Sequence, residues 1–260
     1  MLDLETRQSI VDSLMEAHRT KVQTTRPSAL HSDIEVEDSY AISGMVAERF
    51  QQQGAKLIGH KVGLTSLAMQ RSSKIDEPDY GYLLDNMLIP DGAKIPRSNF
   101  AVPRVELELT FVLGSPLQGP GIGLIDVMRA TEYVVPSIEI IDARVDEPRQ
   151  IYDTVADNGA AAGLILGGTP VRPHDADLRT VGGVLYRNAD IEETGLACGV
   201  LGHPAMGIAW LANKIGPLGV TMEPGHMVLS GSFVRPVWAE KGDTIRADFG
   251  DLGSVAVQFV

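Results

Sequence analysis

Three glutamates stand where apolar residues are expected. Glu106 and Glu108 interrupt the run PRVELELTFVL, and Glu139 interrupts YVVPSIEIIDAR, each stretch otherwise reading as a buried strand. Residues two apart on a strand share a face, so Glu106 and Glu108 stand side by side roughly 7 Å apart along the chain, with Val105, Leu107 and Leu109 on the other face. Burying carboxylates next to one another is costly unless a positive centre lies between them. A hard divalent cation satisfies that need, and oxygen-only ligation favours Mg²⁺, with Mn²⁺ or Ca²⁺ also suited, over Zn²⁺. A solvated strand face is the alternative for an isolated pair of this kind. Glu139, a third carboxylate in an apolar run, favours the cation.

Lys61 is equally out of place. It sits in GHKVGLTS among the core-like Leu57, Ile58, Val62 and Leu64. A lysine there either reaches solvent from a strand edge or faces the carboxylates as a counter-charge available for proton transfer. In KIDEPDYGYLLD, Asp79 lies in a turn-rich setting that can present a carboxylate to a cavity or serve only the turn. Asp157 and Asn158 precede small residues, where they line a site or cap a turn. His203, before Pro204, reads as a polar helix-entry residue. The six histidines show no metal-ligand spacing. Ser230 and Ser232 flank Gly231 without a nucleophile elbow, which disfavours a serine hydrolase. Gly119 to Gly123 lacks the residues of a phosphate loop and reads as a turn.

The elements that must position these groups change texture along the chain. Apolar residues at helical spacing predict one helix from Leu4 to about Lys21 and another from about Glu37 to Gln52, joined by the loop TTRPSALHSD. From Lys56 onward the chain becomes strand-rich and punctuated by Gly and Pro, with helices at about Leu124 to Glu132 and Pro204 to Ile215. Asn188 to Asp190 and Lys241 to Asp243 are candidate hairpin turns. Helices first and strands later predict an α+β fold, with 1–260 as one domain and 1–55 as its helical segment. The 260 residues are 44% hydrophobic and 22% charged, ordinary for a globular protein. A net charge of -12 works against a nucleic-acid partner. Cys198 is the only cysteine, which excludes an intrachain disulfide and agrees with a reducing cytoplasm. No segment reads as a signal peptide or membrane span, so a soluble cytoplasmic protein is expected.

Taken together, KVGLTS, EPDYG, VELEL, PSIEIIDAR, TVADN, LGHP and GSVAVQF resemble the hydratase and decarboxylase branch of the fumarylacetoacetate hydrolase superfamily, over essentially the whole chain. The pattern is most like that of 2-oxohept-4-ene-1,7-dioate hydratases of homoprotocatechuate breakdown. The resemblance implies a strand-rich fumarylacetoacetase C-terminal-like fold and a divalent ion, most simply Mg²⁺, on Glu106, Glu108 and Glu139. It also implies a catalytic pair at Lys61 and Asp79, a substrate-facing hydroxyl at Ser232, and homo-oligomers of pentameric or decameric form. The implied reaction adds water to 2-oxohept-4-ene-1,7-dioate, reached from its 2-hydroxy-2,4-dienoate tautomer, to give 4-hydroxy-2-oxoheptanedioate. The alternatives are hydration of 2-hydroxypenta-2,4-dienoate, decarboxylation of a 2-oxo-3-enedioate such as 4-oxalocrotonate, and a non-catalytic, metal-stabilised partner subunit. A dioate requires a cation for its far carboxylate, with Arg71, Lys74 and Arg235 as candidates.

Overall fold

The computed structural model of the chain describes residues 1–66, 70–71 and 77–260. It opens with helices α1 (Leu4–Thr20), α2 (Pro27–Leu30) and α3 (Val36–Gln52). Asp3 caps α1 by accepting from the Thr6 N–H at 2.8 Å, and Ile10, Val11, Leu14 and Ala17 form its buried stripe. The buried Asp38 carboxylate accepts from the Leu2 and Glu35 N–H groups and from Arg7, fastening the starts of α1 and α3 together. The segment expected as a plain loop holds α2. Pro27 suits its first turn, and Ser28 donates from both N–H and hydroxyl to Asp153.

The larger sheet runs in the order β2 (Asp79–Leu84), β1 (Leu57–Gly63), β10 (Met227–Leu229), β5 (Pro103–Leu113), β6 (Thr131–Asp142), β7 (Ala161–Leu166) and β3 (Leu88–Ile89). A short strand, β11 (Val237–Trp238), pairs with the start of β5. The second sheet is β4 (Lys94–Ile95), β13 (Ser254–Phe259), β12 (Thr244–Asp248), β8 (Gly182–Arg187) and β9 (Asp190–Leu196). Val105, Leu107, Leu109 and Phe111, alternate residues of β5, are fully buried in one core with Leu185, Ala247, Val255 and Phe259 of the second sheet. The opposite face of the larger sheet carries Leu229 and Leu164 into a smaller cluster with Phe50 of α3. Glu106 and Glu108 have the parity of that second face, which the N-terminal helices help to cover.

Asn188 turns the β8–β9 hairpin as expected. Lys241 to Asp243 also form a turn, but not a hairpin, because β11 pairs with β5 while β12 pairs with β13 and β8. The helix expected to Glu132 ends at Ala130, where β6 begins; α4 is Leu124–Ala130. Two further helices are α5 (Ile151–Ala156) and α6 (Ala205–Ile215). Pro136 lies inside β6 without breaking the sheet. Its carbonyl accepts from Gly167 where the β6–β7 ladder ends, so its missing N–H falls at the edge of the pairing. No helix among the described residues is long and apolar enough to cross a membrane.

A buried ion pair holds the end of β6 against α5. Arg144 donates from Nε and its backbone N–H to the two Asp157 oxygens, at 2.6 and 2.7 Å, and from Nη1 to the Ala161 carbonyl at 3.0 Å. Burial still pushes the Asp157 carboxyl up to about 6. Removing the guanidinium leaves that carboxylate buried and unpaired, so Arg144→Met should cost about 3–5 kcal/mol in urea unfolding. An unfolding midpoint equal to that of the parent would show that the pair is dispensable.

Candidate active site

The β5–β6 register brings the three glutamates together. Glu106 lies directly opposite Glu139, and Glu108 lies opposite Ser137 two pairs along, so all three carboxylates project from the same face. One oxygen from each lies within 4.8 Å of the others. Glu108 and Glu139 are buried, while Glu106 is partly open to a cavity. The Gly231 N–H donates to Glu108 Oε2 at 2.7 Å. Gly231 has φ +106°, and a Cβ there would stand 2.2 Å from Thr65 Oγ1, so the residue presenting this N–H must be glycine.

Lys61 and Asp79 come from β1 and β2, on the same face of the same sheet. Lys61 is opposite Leu229 of β10, whose neighbour across the sheet is Thr110 of β5, two residues beyond Glu108. Asp79 is opposite Gly63, two residues beyond Lys61. A Cβ on Gly63 would meet Asp79 Oδ1 at 2.1 Å and Lys61 Nζ at 3.1 Å, so the bare backbone makes room for the pair to stand side by side. Gly159 accommodates the Lys61 stem in the same way. Neither a strand-edge lysine nor a turn aspartate describes these residues. Lys61 is 4% exposed and Asp79, the first residue of β2, is 2% exposed. The strand carrying Asp79 is clamped by Asn158, which accepts from the Tyr82 N–H and donates to the Tyr82 carbonyl.

The electrostatics are those of crowded acids around one base. Lys61 Nζ lies 3.6 Å from Glu139 Oε1. Burial would lower the Lys61 ammonium, but Glu139, Asp79, Glu106 and Glu108 outweigh it and hold the group above the ordinary lysine range. Burial and repulsion from Glu139 push Glu106 up to about 7. The same two causes raise Glu108 further, and burial raises Asp79 and Glu139 against the pull of Lys61. Among the described residues, Asp79 Oδ1, both Glu139 oxygens and Thr65 Oγ1 are buried without a hydrogen-bond partner. Oxygen-only donors, clustered and unsatisfied, fit a hard divalent cation with Glu106, Glu108 and Glu139 as its protein ligands.

Lys61, Asp79, Glu106 and Glu108 line a cavity of about 440 Å³, with Glu139 buried behind them. Ser232 lines it, but its hydroxyl donates to the Val234 carbonyl at 2.9 Å and accepts from the Val234 N–H, so it is engaged within its own turn. Asp157 reaches the cavity wall with its carboxylate held by Arg144, and His203 accepts from the Ala205 N–H at a helix entry. Of the candidate distal cations, Arg235 lines the cavity but is 79% exposed and bound to Glu193, and Arg71 does not line it. Lys74 lies outside the described residues. Sequence reasoning missed Arg104 and Arg149, which do line the cavity. Arg104 shares the strand parity of Glu106, a signal that was available. A larger cavity of about 760 Å³ beneath α1 includes Asp142 and Arg144, whose charges are already met, Asp142 by the Ala101 and Val102 N–H groups and Arg144 by Asp157.

A model of the fumarylacetoacetate (FAA) hydrolase C-terminal family matches residues 52–260. The chain belongs to that family. It is 49% identical over the full length of both chains to 2-oxo-hept-4-ene-1,7-dioate hydratase of Escherichia coli. It is 35% identical to 2-keto-4-pentenoate hydratase of Paraburkholderia xenovorans strain LB400, over 97% of this chain and 94% of that one. Among solved structures, 4-oxalocrotonate decarboxylase from Pseudomonas putida G7, complexed with magnesium and adipate, superposes with a TM-score of 0.97 at 31% identity, covering 100% of this chain and 99% of that one. The α+β family fold is therefore the one anticipated, N-terminal helices included.

The raised carboxyls make cation binding compete with protons. In cation-free protein the folded state holds protons that the unfolded state has released, so stability from these groups falls as pH rises from the ordinary 4.5 through the value near 7 for Glu106. A cation removes that penalty only where the carboxylates must ionise. The rise in Tm on adding Mg²⁺ to chelator-treated protein should therefore be larger at about pH 8 than at about pH 5.5. An equal rise at both pH values would contradict the cluster as the binding site.

Proposed function

We propose that the protein is a metal-dependent hydro-lyase acting on 2-oxohept-4-ene-1,7-dioate, supplied as its 2-hydroxy-2,4-dienoate tautomer, in the catabolism of aromatic compounds such as homoprotocatechuate. The observation that carries this reading is the convergence of Lys61 and Asp79 beside the three-glutamate cluster in one cavity, in a chain 49% identical end to end to a hydratase of that name. Glu106, Glu108 and Glu139 would hold the divalent ion, most simply Mg²⁺. When bound, it would supply a positive centre for the 1-carboxylate and 2-oxygen of the substrate and draw electron density from the conjugated ketone.

The remaining work falls to the chain's own residues. Protonation at C5 with loss of the 2-hydroxyl proton turns the dienol into a 2-oxo-3-ene, whose C4 is electrophilic. Water then adds its oxygen at C4, and a proton is delivered to C3. Asp79 is placed to orient or deprotonate the water, because burial raises its carboxyl toward the range where it exchanges protons. Lys61 remains cationic under the surrounding carboxylates and stabilises negative charge at the enol oxygen. The two roles are exchangeable in principle. The buried setting of both groups also keeps bulk water from them.

Decarboxylation of 4-oxalocrotonate, the activity named for the superposed structure, needs the same stabilised enolate, as does hydration of the five-carbon dienoate. Lys61 and Asp79 disfavour a purely supporting, non-catalytic subunit. Assembly into a homo-oligomer and a cytoplasmic setting complete the proposal.

The product decides among these activities. With Mg²⁺, 2-hydroxyhepta-2,4-diene-1,7-dioate should lose its ultraviolet absorbance and gain the mass of one water, and Lys61→Ala should slow this by about 10²- to 10⁴-fold. Loss of CO₂ from a supplied oxo-enedioate, with no hydration, would assign the decarboxylase instead. Normal turnover by Lys61→Ala would remove the lysine from the chemistry.

A further inference from the structure

Arg104 lies two residues before Glu106 on β5, on the face that carries the glutamates. It is paired with Trp238 of β11, and its guanidinium carbon lies 5.2 Å from the centroid of that ring, which fixes where the side chain can point. Among the described residues its side chain makes no hydrogen bond and no ion pair, although it is partly buried and lines the cavity. A guanidinium has five donors and no acceptor, so an arginine in a cavity wall whose donors lack hydrogen-bond acceptors is suited to an external anion.

Arg149, from the loop between β6 and α5, lines the same cavity; burial first and then the charge of Arg149 lower the Arg104 guanidinium, against the pull of Glu106 and Glu147. Arg149 is not free. It donates to the Val145 carbonyl at 3.3 Å and is ion-paired with Glu147, whose side chain is 66% exposed. The carboxylates that act on Arg104 are Glu106, which belongs to the acid cluster, and Glu147, already paired with Arg149, and neither forms an ion pair with it.

The backbone spacing on β5 is of the same order as the length of the substrate. Two residues of strand separate Arg104 from Glu106 by about 6.7 Å. Six carbon–carbon bonds of about 1.5 Å in an extended zigzag separate the two carboxyl carbons of a seven-carbon dioate by about 7.5 Å. A five-carbon 2-oxo acid is shorter and has no charge at its far end.

Resting on the functional reading above, we infer that Arg104, assisted by Arg149, binds the far carboxylate of the substrate and selects a seven-carbon dioate over a five-carbon mono-acid. Arg235, anticipated for this task, is committed to Glu193 at the surface.

The test measures kcat/KM of the Mg²⁺-loaded full chain for 2-hydroxyhepta-2,4-diene-1,7-dioate and for 2-hydroxypenta-2,4-dienoate. The parent should prefer the dioate. Arg104→Gln should reduce that preference by about 10- to 10²-fold, chiefly through KM for the dioate, and Arg104→Lys should recover only part of it because the bidentate fork is lost. Calorimetric binding of the unreactive adipate and hexanoate provides a second readout. The parent should bind adipate about tenfold or more tightly than hexanoate, and Arg104→Gln should erase the difference. A preference in Arg104→Gln within about threefold of the parent's would overturn the inference while leaving the hydratase reading intact. A parent that hydrates neither acid would overturn the hydratase reading, and the adipate comparison would still decide the role of Arg104. Should Arg104→Gln fail to fold, equal binding of adipate and hexanoate by the parent would itself refute the inference.

Discussion

Four buried or half-buried carboxylates facing a single ammonium are the constraint around which this protein is arranged. Glu106, Glu108, Glu139 and Asp79 bring four potential negative charges against the one positive charge of Lys61. No ordinary packing advantage explains such a cluster, since each acid loses hydration and repels its neighbours. Lys61 alone does not balance it, and burial together with repulsion from Glu139 raises the Glu106 and Glu108 carboxyls. A doubly charged cation would resolve the imbalance. The cluster is therefore a cost to the cation-free fold and would be the source of a cation's affinity.

The surrounding backbone accommodates that concentration of charge. Directly opposed positions on β5 and β6 place Glu106 and Glu139 in contact range, while the alternate residues of β5 sink into the main core and lock the register. A one-residue slip would send the acids into the hydrophobic layer and expel Leu107 and Leu109. Gly63 and Gly159 give Asp79 and Lys61 the volume a side chain would deny them, and Gly231 turns a backbone N–H onto Glu108. Asn158 and the Arg144–Asp157 pair hold the strands that carry these groups.

Much of the site was legible because strand parity is a simple rule. Glu106 and Glu108 had to share a face, and a third glutamate in an apolar run had to be explained. The pairing of Glu106 with Glu139 was not legible, because register depends on contacts far apart in sequence. Asp79 read as a turn residue because Pro78 and Gly81 flank it, yet the clamp from Asn158, remote in sequence, makes it the start of a strand. Arg104 was overlooked although it obeys the parity of Glu106, since only β11 and its tryptophan reveal that it borders the cavity. The short helix α2 escaped notice because its stability comes from Asp153, remote in sequence, rather than from local propensity.

On the proposed reading, the three glutamates hold one divalent cation. Electron paramagnetic resonance of Mn²⁺ titrated into the chelator-treated protein at neutral pH counts bound ions directly, without reference to any reaction. One Mn²⁺ per chain in the parent, lost or greatly weakened in Glu139→Gln while that variant remains folded, is the predicted result. Undiminished binding in Glu139→Gln, or none in the parent, would contradict the account.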